Sequence, residues 1–215
     1  MFKYCKLSQY KIKKIIYCFS QDLTAIQTAN LLNINRNTIN RYYRIFREKI
    51  LAACEEENGF EGELELDESY FGGKHHNGKR GRGSENKIPV FGILKRNGKV
   101  YTQIIPNSSA ETLLDIVQTK IKPDSIVYTD SFRAYNKLSI SGYKHYRINH
   151  SVEFARGKNH INGIESFWGY CKMRLSKFYG LKKEEFLLHL KECEFRFNHR
   201  KQNLYEILLK IIFKN

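Results

Sequence analysis

No apolar run approaches the roughly 18 residues of a membrane-spanning helix, so no membrane association is expected. No two cysteines have C-x-x-C spacing, and Cys5, Cys18, Cys54, Cys171 and Cys193 are odd in number and scattered. That argues against structural zinc and a disulfide framework, and for buried intracellular thiols. The opening segment, Met1 to Leu7, is basic but lacks the apolar stretch and small-residue cleavage site of a secretory signal. A cytoplasmic, nucleoid-associated protein is therefore expected. No internal repeat is visible, and apolar and aromatic residues are spread too widely for a disordered chain.

Acidic residues are scarce and unevenly placed. There are 37 Lys and Arg against 22 Asp and Glu, a net charge of +15. Eight of those acids fall between Glu55 and Glu68, leaving 14 to balance all the bases elsewhere. Such an excess repels itself unless a polyanion binds, so the expected partner is nucleic acid.

The 215 residues suit a small domain followed by a medium one. Residues 1–55 read as a helix-turn-helix segment. Apolar residues at helical spacing over 7–19 predict one helix. Thr24 is a natural N-cap for a second, and Asn33-Ile34-Asn35 forms a short turn before a third that starts at Arg36. Ile39, Tyr43 and Phe46 should face inward. Arg36, Asn37, Asn40, Arg41 and Arg44 are left outward, with side chains that reach base edges and phosphates. An ordinary helical hairpin with a solvated polar face is the competing reading.

Residues 51–62 look like a helix end and a linker, and 60–204 read as an α/β domain with a tail at 205–215. Glu63 to Phe71 alternates like a strand. A Gly-, Lys-, Arg- and His-rich loop follows through Lys87. Asn97-Gly98 joins two strands in a hairpin, and Ser108-Ser-Ala-Glu reads as a capping box opening a helix at Ala110. A buried strand ends on Asp130. A helix over 132–138, a strand near 145–148, a basic loop at 156–160 and helices over about 161–177 and 183–199 complete the pattern. The order implies a mixed sheet flanked by helices, its first three strands antiparallel.

Asp67 and Asp130 end two of these strands, where sites gather in such sheets. Glu165 lies in the first turn of a later helix. Each has an ordinary reading alone: one more charge in an acidic run, a helix N-cap, a favourable first-turn charge. Together, three carboxylates in one pocket repel unless divalent cations neutralise them. Oxygen ligands with no His or Cys pattern favour two Mg2+ or Mn2+ ions and no zinc. Two such ions suit an in-line displacement at phosphorus. Ile164, Trp168, Cys171 and Leu175 recur at helical spacing, which makes Trp168 core and not a base-stacking platform.

Four segments carry a family resemblance: Glu65-Leu-Asp-Glu-Ser-Tyr-Phe-Gly-Gly-Lys, Val127-Tyr-Thr-Asp-Ser-Phe-Arg-Ala-Tyr, His160-Ile-Asn-Gly-Ile-Glu-Ser-Phe-Trp-Gly and Phe197-Asn-His-Arg. In these the chain resembles the DDE transposases of the ISXO-like group, insertion-sequence enzymes related to Merlin elements. The resemblance covers roughly residues 60 to 200. It implies an RNase H-like fold, Asp67, Asp130 and Glu165 as the catalytic triad, and Lys172 as a basic helper seven residues beyond Glu165. Nearly two helical turns separate those two, so they share a face. It also implies strand cleavage and transfer on double-stranded DNA by a homodimer or higher oligomer. Lys74, Arg156, Lys158, His160, Asn162 and Lys172 join the helix-turn-helix residues as expected DNA contacts. His75 and His76 have no clear metal role. The sequence departs from many members in showing no N-terminal zinc ribbon, which leaves recognition of the element's ends open. A stand-alone RNase H-like nuclease or resolvase, and a DNA-binding regulator with an inactive catalytic domain, remain alternatives.

Overall fold

The computed structural model describes residues 7–55, 59–72, 87–130, 135, 142–148, 160–178 and 180–213. In chain order the elements are α1 (Gln9–Ser20), α2 (Ala25–Leu32), α3 (Arg36–Glu55), β1 (Glu63–Phe71), β2 (Ile88–Lys95), β3 (Val100–Ile104), α4 (Ala110–Lys120), β4 (Ile126–Asp130), β5 (Lys144–Ile148), α5 (Asn162–Leu175), α6 (Lys183–Asn198) and α7 (Leu204–Phe213). They form two compact units, Met1–Glu57 with Lys182–Asn215, and Asn58–Leu181.

The first unit is all helical. Thr24 and Gln27 close a reciprocal capping box on α2, and Asn33 ends that helix in the left-handed conformation at φ +51°. Ile12, Ile15, Ile16 and Phe19 of α1 meet Ile39, Tyr43 and Phe46 of α3 in one core. Thr28 and Tyr43 share a buried hydroxyl–hydroxyl hydrogen bond of 2.6 Å. Helix α3 ends at Glu55, within the 51–62 stretch expected to hold a helix end, and Ile50 and Cys54 continue its buried face. The unit differs from the sequence reading in its C-terminal segment. Residues 205–213, expected as part of a tail, belong with Leu204 to α7, whose Leu208 and Ile212 enter the same core. Helix α6, expected within the α/β domain, packs along α3.

The reason lies on the buried side of α6, which is charged. The Glu192 carboxylate accepts from Arg47 Nε of α3 at 2.7 Å and from Arg196 Nε at 2.8 Å. Arg196 also donates to the Phe19 carbonyl and, at 3.1 Å, to the Ser20 carbonyl at the end of α1. The Ser20 carbonyl lies in the last turn of α1, where helix carbonyls lack intrahelical partners. Such a face has partners waiting on α1 and α3.

The second unit is a five-stranded sheet in the order β3-β2-β1-β4-β5. The β1–β2 and β2–β3 pairs are antiparallel, and β1–β4 and β4–β5 are parallel. This is the RNase H-like arrangement that the resemblance implied. Alternation along β1 puts Leu64 and Leu66 on one face, where they pack with Phe91, Ile93, Val127 and the Leu113, Ile116 and Val117 stripe of α4. The other face is covered by α5. Helix α4 starts where expected, but its cap is displaced by one residue: Ser109, not Ser108, accepts from the Thr112 N–H at 3.3 Å. Ser108 instead lies 2.9 Å from the Tyr70 hydroxyl, and the Asn107 side chain accepts from the Ser109 N–H. The expected helix at 132–138, Tyr135 apart, and the two basic loops with Lys74, His75, His76, Arg156 and Lys158 lie outside the described residues.

Candidate active site

The parallel register of β1 and β4 sets the first two carboxylates. Glu65 pairs with Tyr128. Two residues further along each strand stand Asp67 and Asp130, on the same face because side chains alternate. That face is the one α5 covers. The Ile164 N–H of α5 donates to the Glu65 carboxylate at 2.9 Å, and the Trp168 indole N–H donates to Asp67 Oδ2 at 3.1 Å. Glu165 follows Ile164 directly and is exposed. Gly92 of β2, the register partner of Asp67, permits this close docking: a Cβ there would lie 2.6 Å from the Trp168 ring.

The electrostatics follow. Burial pushes the Asp67 carboxyl up to about 7, and the charges of Glu68, Asp130 and Glu165 push it in the same direction. Asp67 thus feels the other two carboxylates named from the sequence. Among the described residues, however, no group of three His, Cys, Asp or Glu side chains is drawn together closely enough to cage a metal ion.

Lys172 is exposed two turns along α5. Its ammonium sits 5.9 Å from the centre of the Phe71 ring, at the end of β1 beyond Asp67. Phe71 in turn meets Trp168 edge-on. The other expected contacts are spread out. Asn162 is exposed at the start of α5, while His160 is half-buried, its carbonyl accepting from Arg96 at 2.6 Å. In the helical unit Arg36, Asn37, Asn40 and Arg41 are exposed on α3. Arg44 is exposed as well but bound to Glu48 at 3.0 Å and Glu185 at 2.6 Å.

Sequence reasoning missed three neighbours of Asp67. Glu68 points to the opposite face, where its carboxylate accepts from the Tyr135 hydroxyl. Tyr135 is fully buried, and burial with the Glu68 charge holds its phenol well above the ordinary range. Trp168 is core, as its spacing indicated, but it also reaches Asp67. Only the position of the indole nitrogen, which spacing cannot report, distinguishes the two roles.

The raised Asp67 carboxyl has a consequence for stability. The folded state favours its protonated form, so its contribution is fully present below about pH 4 and is lost as pH rises through about 7. Asp67→Asn cannot ionise and keeps an acceptor for the indole. Without added metal, its stability relative to wild type should therefore rise between pH 4 and 8. The rise should reach up to a few kcal/mol, because each tenfold gain in proton affinity on folding is worth about 1.4 kcal/mol. Urea unfolding of both proteins across that range measures the difference. His145, lowered to about 4 mainly by burial, titrates oppositely but cancels in the comparison. A difference that is flat with pH would show that Asp67 is ionised throughout.

Asp130 ends β4 as expected, but Asp67 does not end β1, which runs four residues further because Glu68 to Phe71 stay paired with β2. An RNase H-like sheet with aspartates on two neighbouring strands, covered by a helix bearing a glutamate, has the layout of a DDE-type transposase domain. The profile of the ISXO2-like transposase domain matches residues 59–198, and the chain belongs to that family. An uncharacterized transposase-like protein of Haemophilus influenzae is 52% identical over 116 residues, 54% of this chain and 94% of that protein. An uncharacterized protein in the transposable element ISH50 of Halobacterium salinarum is 31% identical over 123 residues, 54% of this chain but only 42% of that protein. Among solved structures, the Mos1 transposase paired-end complex with the left transposon end aligns over 99% of this chain and 81% of that one, at 11% identity and a TM-score of 0.31. A likeness at that level fixes neither fold nor activity. The matched family segment ends at residue 198 and so includes α6, which packs with the N-terminal helices.

Proposed function

We propose that this chain cleaves DNA strands at the ends of an insertion sequence and joins them to target DNA, using divalent metal ions held by Asp67, Asp130 and Glu165. The observation that carries this reading is the register of β1 and β4, which sets Asp67 midway along β1 and Asp130 at the end of the neighbouring parallel strand, both on the face that the glutamate-bearing helix covers. The donor set fits the metal. It is all carboxylate, the choice of Mg2+ or Mn2+, and the Asp67 carboxyl is raised partly by the negative charges that a cation would offset. Two ions, when bound, activate the attacking oxygen and stabilise the leaving oxygen of a displacement at phosphorus.

The protein's own groups divide the remaining work. Trp168 holds one oxygen of Asp67 by its indole N–H. Lys172, at the end of β1, holds a phosphate of the bound strand and offsets charge that builds on it. Helix α3 enters the major groove, with Arg36, Asn37, Asn40 and Arg41 reading or gripping the element's end. Arg44 reaches DNA only by giving up Glu48 and Glu185. Lys74, Arg156, Lys158, His160 and Asn162 are proposed as further DNA contacts, and the active species as a homodimer or higher oligomer on DNA.

A labelled duplex carrying the element's end tests the reading. Cleavage and joining, each dependent on Mg2+ or Mn2+, are expected. Cleavage without joining would make the protein a nuclease. Neither reaction with either metal would make it a DNA-binding regulator. Lys172→Ala should slow cleavage, weaken end binding and lower the slope of log affinity against log salt by about one or less. Its Mg2+ dependence should stay near wild type. Unchanged affinity and rate would return Lys172 to the solvated surface.

A further inference from the structure

Glu65 is almost fully buried on the same face as Asp67, one alternation earlier along β1. A buried carboxylate is costly unless its oxygens are satisfied. Here both are. Oε2 accepts from the Ile164 N–H in the first turn of α5 at 2.9 Å, and Oε1 accepts from Arg96 Nε at 3.0 Å. Arg96 extends the connection. Its other nitrogens donate to Glu63 Oε2 at 2.9 Å and to the His160 carbonyl just before α5 at 2.6 Å, and its guanidinium lies 3.7 Å over the Tyr128 ring of β4. One carboxylate and one guanidinium therefore tie β1, β4, the β2–β3 turn and the start of α5 together. Gly163 shows how tight the seat is: a Cβ there would lie 2.5 Å from Leu94 and 2.7 Å from Glu65 Oε2.

We infer that Glu65 and Arg96 are positioning residues for the metal-binding carboxylates. Glu165 is the residue next to the anchored Ile164 N–H, and Tyr128, on which Arg96 rests, stands two residues before Asp130. The clasp thus fixes the origin of the helix that carries one carboxylate and the strand that carries another, while touching neither metal nor DNA. This inference rests on the metal reading proposed above. The clasp has a reason to be ionic. A hydrophobic pair could fill the same space, but could not accept the Ile164 N–H and donate to the His160 carbonyl in fixed directions. The three carboxylates carry like charge, and directional restraints on their backbones oppose that repulsion.

Mn2+ binding to the purified full-length chain, read by electron paramagnetic resonance, separates positioning from simple support. Glu65→Gln keeps size and one acceptor but presents donors to Arg96. Arg96→Lys keeps charge but can satisfy only some of the partners. Each should weaken Mn2+ binding about 10-fold or more, the range in which residues supporting metal ligands act. The Mg2+ concentration for half-maximal cleavage should rise in parallel, and the rate at saturating Mg2+ should largely recover. Leu113→Ala, a core truncation on the α4 face, is the control: it should lower the melting temperature without altering Mn2+ affinity. Wild-type Mn2+ affinity in folded Glu65→Gln or Arg96→Lys would overturn the inference. So would failure of both variants to fold, which would make the clasp a stability element only. The outcomes also separate this inference from the reading it rests on. If wild type bound no Mn2+, or Asp67→Asn bound it normally, the metal reading would fall and the clasp with it. Intact wild-type binding with unaffected clasp variants would remove the clasp alone.

Discussion

Asp67→Asn, Asp130→Asn and Glu165→Gln should each reduce cleavage and strand transfer by at least about 100- to 1,000-fold, the loss seen when a single electrostatic stabiliser of a transition state is removed. End-DNA binding should stay close to wild type, because the proposed reading residues lie on α3. The amide variants are the sharper test. Asp67→Ala would leave the Trp168 N–H without its acceptor in a buried place, a cost of about 1–3 kcal/mol unrelated to metal. Asp67→Asn keeps that hydrogen bond and removes only the charge. If charge is what matters, Asn and Ala at position 67 should be equally inactive, with Asn the better folded. Single-turnover cleavage of a labelled end, with a binding isotherm for the same DNA, measures both quantities. Substantial activity in any of the three amide variants would sink the triad.

The second large effect belongs to the helical unit. Glu192→Ala should destabilise it by about 3–5 kcal/mol, the penalty for breaking a buried ion pair and leaving its partners charged. Here two guanidiniums, Arg47 and Arg196, would face each other without the carboxylate that separates them. A loss of that size is a large fraction of a typical domain's stability. Hydrogen exchange measured by mass spectrometry reads the units separately. Peptides from α1, α3 and α6 should lose protection, while those from β1, β2 and β4 change little. Because α6 and α7 complete the core, a fragment ending near residue 55 should be poorly folded, and only a protein carrying both chain segments of the unit should bind DNA as the intact helical unit does. Unaltered protection in Glu192→Ala would mean that the buried network adds little.

Much of the site was legible because it obeys local rules. Alternation along β1 distinguished Asp67 from the core leucines, and the apolar run before Asp130 marked a buried strand ending there. The inward face of α3, the caps of α2 and the hairpin at Asn97-Gly98 are equally local. What was not legible depends on pairings distant in sequence. Glu65 looked like one more acid in a run, since nothing local announces an Arg96 thirty-one residues away. The contact from Trp168 to Asp67 joins residues a hundred apart. Helix α6 was placed by sequence proximity with the α/β domain, and its buried Lys191, Glu192, Glu194 and Arg196 look in sequence like a solvated face. A charged stripe tells where a helix packs only when its partners are known, and those include Arg47 of α3 and the terminal carbonyls of α1.

The helical unit is assembled from the two ends of the chain, with the whole sheet unit made in between. On the ribosome α1, α2 and α3 emerge first, at a time when α6 and α7 do not yet exist. Their shared apolar surface, with Ile50 and Cys54 on it, waits while the sheet unit is synthesised and can fold. On the proposed function, DNA recognition therefore matures last. A chain interrupted by a stop or frameshift between α5 and α6 would carry the sheet unit without a finished helical unit and, on the proposed function, would not compete with intact protein for the element's ends.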